Sequence, residues 1–264
     1  MNLIYQYWDG KLQPGVTASV NAVKKYADRI GSEYIFEHNP RWQTNLGGYS
    51  THYGAFKPIF EWGDKYENIL FLDADVFPIE GLEENIFDHK NFDIGICTEP
   101  FQPKQRTITL GKITSERDEL WAQRIKKLWD IDVPRTEENL IEVFNTGVVL
   151  YSSTGIEKFK SQFISFEEYV KGVSDLTSFY TSDQPYLHAM LFYKDLNLLQ
   201  LDAGWNSYVH GTRDIHQPTR RLMDWRDENT KFVHCQFAGK YGLYEDLLHK
   251  IVNLPQDQWG WTWK

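Results

Sequence analysis

The chain has 264 residues, of which 41% are hydrophobic and 25% charged, enough apolar length to close a core and unlike a disordered or repetitive chain. A formal net charge of -9 excludes a general polyanion-binding surface, so nucleic acid is not an expected partner. No run of about 18 uninterrupted apolar residues occurs, which excludes an integral membrane helix in this sequence, and the two cysteines, Cys97 and Cys235, lack metal or redox spacing and read as core thiols.

In chain order, Leu3 to Tyr7 reads as a first strand, and Asp9-Gly10 leaves its carboxyl end. Pro14 to Ile30 reads as a helix, because Val16, Val20, Val23, Ala27 and Ile30 recur at steps of four and three and Pro14 sits where a first turn needs no donor. Tyr34 to Phe36 is a short second strand, and Gly47-Gly48 turns the chain into a helical segment near His52 to Trp62. Ile69 to Leu72 is a continuous apolar run, suited to a central strand covered on both faces, and it stops at Asp73-Ala74-Asp75. Asp93 to Cys97 is the next strand, and Gln102 to Ile113, with no period, reads as a substrate-facing loop. Ser115 and Asp118 are expected to cap a helix whose inward stripe is Trp121, Ile125 and Leu128.

Farther on, Val143-Phe144 and Val148 to Tyr151 are apolar runs interrupted by Asn145-Thr146-Gly147, which places polar groups in a buried neighbourhood. Ile156 to Val170 reads as one amphipathic helix and Ser182 to Phe192 as another. Leu198 to Leu201 is a strand ending at Asp202, His210 to Arg226 is irregular and locally basic, and Lys231 to Phe237 is a strand. A last helix, Leu243 to Val252, precedes an aromatic tail from Trp259 to Trp263. The alternation of strands and helices predicts an α/β chain, read as one domain over 1–264 with 241–264 as C-terminal helix and aromatic tail.

Asp73 and Asp75 carry the sharpest chemical signal. A core strand has no structural need to end in paired acids, and the crevice beyond strand carboxyl ends is where ligands collect in open α/β sheets. Two carboxylates one residue apart can approach one hard divalent ion, Mg²⁺ or Mn²⁺, whose other positions suit diphosphate oxygens and water. His234 is the candidate third ligand, since a neutral imidazole completes such a shell without adding negative charge. Six residues on, Lys240 can reach a diphosphate oxygen as a point charge.

Phe71-Leu72-Asp73-Ala74-Asp75-Val76, Phe144-Asn145-Thr146-Gly147-Val148, Ser182-Asp183-Gln184-Pro185 and the segment His234 to Lys240 occur in that order. Together they resemble the motif series of GT-A-fold nucleotide-sugar glycosyltransferases, most closely the retaining family 8 group that includes glycogenin and bacterial lipopolysaccharide galactosyl- and glucosyltransferases. Small glycosyltransferases of large algal viruses are a second similar group. The resemblance runs from the first strand to about Tyr241 and implies a Rossmann-like α/β GT-A fold with a mainly parallel central sheet. It implies Mn²⁺ or Mg²⁺ on Asp73, Asp75 and His234, with Asp73 and Lys240 at the donor diphosphate. Tyr5 and Tyr7 then hold the nucleoside, usually uridine, and Lys57 lies near the donor. Asn145 approaches the sugar or acceptor, and Asp183 and Gln184 lie beside the reacting carbon. The family pattern His-X-X-Gly-X-X-Lys keeps its His-to-Lys distance here, while the glycine stands at Gly239.

Other roles stay open on the residues alone. Asn145 can bind a sugar hydroxyl or rescue a polar bulge, and Asp183 can serve chemistry or cap its helix. Trp205, beside Gly204 and Asn206, is either a sugar-stacking platform or packing under a loop. Arg213, His216, Arg220, Arg221 and Arg226 form a basic group that meets an anion or only solvent. The expected activity is metal-dependent sugar transfer from a UDP-sugar to a hydroxyl on a glycan or glycoprotein, in the cytoplasm, the host's if the source is viral. The alternatives are an inverting transferase, a nucleotidyltransferase or metal phosphohydrolase, and a nonenzymatic sugar-binding module.

Overall fold

The computed structural model describes residues 1–99, 113–212, 221–237 and 242–260. Its strands are β1 (Asn2–Trp8), β2 (Glu33–His38), β3 (Asn68–Leu72), β4 (Val76–Pro78), β5 (Ile94–Thr98), β6 (Phe144–Ser152), β7 (Leu198–Gln200), β8 (Ser207–Thr212), β9 (Arg221–Asp224) and β10 (Phe232–Phe237). They form a six-stranded sheet ordered β2-β1-β3-β6-β5-β7 and a four-stranded sheet ordered β4-β10-β8-β9. In the larger sheet β6 alone runs against the other strands.

Side-chain alternation fills both faces of the larger sheet. Leu3, Tyr5, Ile69, Phe71, Val149 and Tyr151 join one apolar layer, while Ile4, Leu70, Leu72, Val148 and Leu150 join the other. Each is at most 1% exposed, and burial of an aliphatic or Phe side chain contributes roughly 1.5–3 kcal/mol. This is why β3 is apolar at every position after Asn68. A third layer ties the helix Pro14–Ile30 and the smaller sheet to the helix Glu245–Asn253 through Ala18, Phe77, Val233, Leu248 and Ile251.

The helix Pro14–Ile30 has the expected bounds, and Gly31 ends it in the left-handed region at φ 67°, its N–H donating to Ala27 O. The helix Ser115–Trp129 is capped by Thr114, whose hydroxyl accepts from Arg117 N, and not by Ser115 or Asp118. Asp118 is buried and accepts from the Tyr180 hydroxyl at 2.8 Å. Leu128 is exposed, because the last turn presents Trp129 to the neighbouring helix, stacked on Tyr169 at 5.7 Å.

The single helix expected over 156–170 is two helices, Ser153–Gln162 and Phe166–Val173. Phe163 adopts an extended conformation, and Ser165 opens a new helix by accepting from Glu168 N. Local capping thus interrupts an apolar period that continues through both. The stretch 210–226 is also more regular than expected, since β8 and β9 pair antiparallel. The candidate loop 102–112, Lys240, Gly239, Arg213, His216, Arg220, Trp261 and Trp263 lie outside the described residues.

Candidate active site

β3 belongs to the larger sheet and β4 to the smaller, and the turn joining them is Asp73-Ala74-Asp75. Val76 N donates to Asp73 O at 3.1 Å, closing the turn. Neighbouring strands fix its backbone: Asp73 N donates to Gly147 O on β6, and Cys235 N on β10 donates to Asp75 O, both at 2.9 Å. From β1, the fully buried Gln6 donates through Nε2 to Asp73 O and to Ser19 Oγ, both at 3.0 Å, and accepts at Oε1 from the Tyr34 hydroxyl at 2.8 Å. The acid pair is therefore held from three strands before any ligand arrives.

β10 places His234 opposite Val76. The imidazole is fully buried, with Nε2 3.2 Å from Asp75 Oδ1 and 3.8 Å from Asp73 Oδ2. One ligand atom from each of the three side chains lies within 4.8 Å of the others.

The tautomer of His234 follows from one fixed donor. Gly147 N–H donates to Asn145 Oδ1 at 2.8 Å, which identifies the oxygen of that amide. Asn206 Nδ2 donates to the same oxygen at 3.0 Å, and this turns Asn206 Oδ1 toward His234 Nδ1 at 3.0 Å. An acceptor there requires the hydrogen on Nδ1, so the lone pair of the neutral ring lies on Nε2, facing the carboxylates. Gln236 Nε2 lies 3.1 Å from that nitrogen, an amide donor standing where a cation would have to displace it, and Tyr208 stacks on the ring at 4.6 Å. Two carboxylates and one oriented imidazole fit a divalent cation. Glycine is required beside them: a Cβ on Gly147 would stand 2.4 Å from His234 Cε1 and 2.9 Å from Asn145 Oδ1.

Asn145 and Thr146 sit where the pairing of β5 with β6 slips, between Ile96 and Cys97, so the polar interruption is a bulge that faces the site. Asp73 and Asp75 open onto a cleft of about 390 Å³ whose lining includes Tyr7, Asp9, His52, Asn145, Asp183 and Gln184. The same lining takes in the first residues of the helix Asp183–Leu191. Asp183 is buried in the first turn and does not cap the helix. Its Oδ2 accepts from Thr146 Oγ1 at 3.1 Å, and its Oδ1 lies 3.4 Å from His52 Nδ1. Gln184 Nε2 is buried with no partner among the described residues, which leaves a donor for a ligand.

The Tyr7 hydroxyl donates to the carbonyls of Thr51 and His52, both at 2.9 Å. Burial first, and then the charges of Asp183 and Asp73, push its pKa well above the ordinary phenol value, so it stays a donor. For His52, burial pulls the pKa down, but the hydrogen bond and charge of Asp183, with the charge of Asp73, outweigh it and raise the value above that of a free imidazole.

Several sequence candidates sit elsewhere. Tyr5 is fully buried and donates to Glu37 Oε2 at 2.8 Å; Lys57 Nζ meets Glu37 Oε1 at 2.5 Å and Glu61 Oε2 at 3.5 Å. Neither lines the cleft, and Tyr5 backs Tyr7 with ring centroids 6.2 Å apart. Trp205 is no sugar platform: it is fully buried, edge-on to Phe232 at 5.1 Å. Arg226 pairs with Asp224 at 2.6 Å and donates to the carbonyls of Ile251 and Leu254, so it fastens the C-terminal helix. Cys97 and Cys235 are buried and form no disulfide. Gln6, His52 and the tautomer-setting role of Asn206 escape sequence reading; only Gln6, a lone amide inside an apolar strand, leaves a trace there.

No protein-family model and no curated protein matches the chain. Among solved structures it is similar to a glycosyltransferase involved in the glycosylation of the major capsid of PBCV-1, with 13% identity, a TM-score of 0.54, and coverage of 95% of this chain and 98% of that one. An active-site mutant of LgtC shares 15% identity at a TM-score of 0.49, covering 89% of this chain and 87% of that one. Mouse xyloside xylosyltransferase 1 in its apo form shares 15% at a TM-score of 0.48, covering 89% and 97%. No helix among the described residues is long and apolar enough to cross a membrane. The sheet order, with its one antiparallel strand, and the match along the whole capsid glycosyltransferase make this an α/β chain with a Rossmann-like GT-A fold.

Proposed function

We propose that the chain transfers a sugar from a nucleoside diphosphate donor, UDP in the first instance, to a hydroxyl of a glycan or glycoprotein acceptor, with retention of the anomeric configuration. The observation that carries this reading is the lone pair of His234 Nε2 aimed at Asp73 and Asp75 on the floor of a polar cleft. These three residues would hold Mn²⁺ or Mg²⁺, and the ion would supply positive charge to the departing diphosphate. Lys240 adds a point charge to the same diphosphate.

The remaining groups act on the sugar and nucleoside. Asn145 Oδ1 is occupied by Gly147 and Asn206, so it is Nδ2 that Asn145 offers a sugar hydroxyl. Gln184 Nε2 offers a second donor, and the Asp183 carboxylate faces positive charge developing at the anomeric carbon. Gln184 does not titrate usefully and takes no proton. Tyr7 borders the nucleoside, while Tyr5 and Lys57 support it from behind without touching donor.

The test is a donor screen with Mn²⁺, in which nucleotide sugars and glycan acceptors are incubated and the products separated with their anomers assigned. A retained glycosidic product is expected from a UDP-sugar. Asp75→Ala is expected to keep its circular-dichroism melt and lose turnover by about 100-fold or more. Undiminished turnover in the folded variant rejects the metal role; an inverted anomer or bare phosphate release rejects the assigned reaction.

A further inference from the structure

We propose that His52 is the positioning residue for Asp183, clamping the carboxylate that faces the donor sugar with a cation that titrates. Its consequence for catalysis rests on the sugar-transfer reading above; its geometry does not. Asp183 is held at both oxygens, Oδ2 by the Thr146 hydroxyl at 3.1 Å and Oδ1 by His52 Nδ1 at 3.4 Å. The clamp therefore spans β6 and the 3₁₀ segment Ser50–Phe56.

His52 is itself anchored. Its carbonyl accepts from the Tyr7 hydroxyl at 2.9 Å, and its ring stands edge-on to Tyr49 at 5.0 Å. Lys57, a basic residue of the following helix, is turned to Glu37 and Glu61. Among the described residues the charged groups acting on His52 are Asp183 from the helix Asp183–Leu191 and Asp73 from the β3–β4 turn, with the phenols of Tyr7 and Tyr49 beside it. Its own segment, Ser-Thr-His-Tyr-Gly-Ala-Phe, carries no other charge, and among the described residues the cleft lining adds only the acids Asp9 and Asp75.

The sign follows from the charges. Both acids favour the imidazolium, so the ion pair is complete below the ordinary histidine value, about 6.5, and is lost as pH rises through the raised one. Above that pH Asp183 keeps the Thr146 hydroxyl and, from the neutral ring, an uncharged N–H in place of the ion pair. A divalent ion on Asp73 offsets part of the effect, so the apo protein gives the cleaner measurement.

The first measurement is an NMR titration of the His52 ring in the metal-free protein, native and Asp183→Asn. A midpoint above that of a free imidazole, falling back in Asp183→Asn, is expected; identical midpoints in the two proteins overturn the pair. The second is the pH profile of kcat and KM for the native chain, His52→Gln and His52→Ala. The native kcat is expected to fall as pH rises through the NMR midpoint. His52→Gln, which keeps an N–H donor without the charge, loses that limb, and His52→Ala loses about tenfold or more in kcat with donor KM little changed. A limb shared by native and His52→Gln, or a full kcat in His52→Ala, overturns the proposal. If the native chain transfers no sugar at all, the reaction assignment fails and the NMR titration still decides the pair.

Discussion

The two walls of the cleft differ in how much of their polar chemistry is already satisfied within the chain. On the wall built from β3, β6 and β10, a chain of hydrogen bonds runs from the backbone of Gly147 through Asn145 and Asn206 to a fully buried His234. On the wall built from the 3₁₀ segment and the helix Asp183–Leu191, His52 has a half-exposed side chain and Gln184 Nε2 has no partner among the described residues. Preorganised donors cost no rearrangement when charge develops, so the first wall suits a metal and diphosphate. On the proposed sugar-transfer reading the second wall is completed by the incoming donor sugar, and so it is where selectivity between donors is expected to reside.

The contrast breaks most sharply at Gly147. Gly147→Val places new carbon against His234 Cε1, and the ring, buried and tied through Nδ1 to Asn206, has little room to retreat. A destabilisation of about 1–3 kcal/mol is expected in urea denaturation, together with loss of Mn²⁺ binding by calorimetry. Native stability in this variant would mean the first wall is looser than its hydrogen bonds indicate.

Asn206→Leu tests the same wall more gently. The change keeps approximate volume but frees His234 to move its hydrogen between nitrogens, and it removes one of the two donors on Asn145 Oδ1. Mn²⁺ affinity is expected to fall on the order of 10–100-fold, with stability lower by about 1 kcal/mol. Equal affinity in calorimetric titration of the two proteins rejects the tautomer argument.

The wall that carries the acid pair is the more legible of the two in sequence. Paired acids after an apolar run, a glycine after an amide, and a histidine in a late strand each carry chemistry on their own residues. Their support is hidden because it is long-range: Gln6 reaches Asp73 across 67 positions and Asn206 reaches Asn145 across 61. The larger sheet's central strands can be read from their apolar runs, whereas β4 and β9, of three and four residues, acquire meaning only by pairing with β10 and β8. Tyr5 and Tyr7 share a face of β1, and two residues of strand, roughly 6.6 Å, separate the ring at the cleft from the ring beneath it. Lys57 has the right charge in the right segment, but Glu37 and Glu61 already surround it. Sequence locates charge better than it locates the partner that neutralises it.

The smallest expected change in stability belongs to Gln184. Its buried Nε2 makes no bond among the described residues, so Gln184→Met, close in size and shape, removes nothing the fold uses and relieves an unmatched donor. The urea midpoint is expected to stay within about 0.5 kcal/mol of native. Donor turnover should nevertheless fall by about tenfold or more, because a hydrogen bond to the sugar is lost from the reacting complex. This is the reverse of Gly147→Val, where stability and metal binding fall together. If Gln184→Met unfolded easily while its turnover per folded molecule stayed native, the amide would be serving the fold, and the second wall would be no freer to meet a sugar than the first.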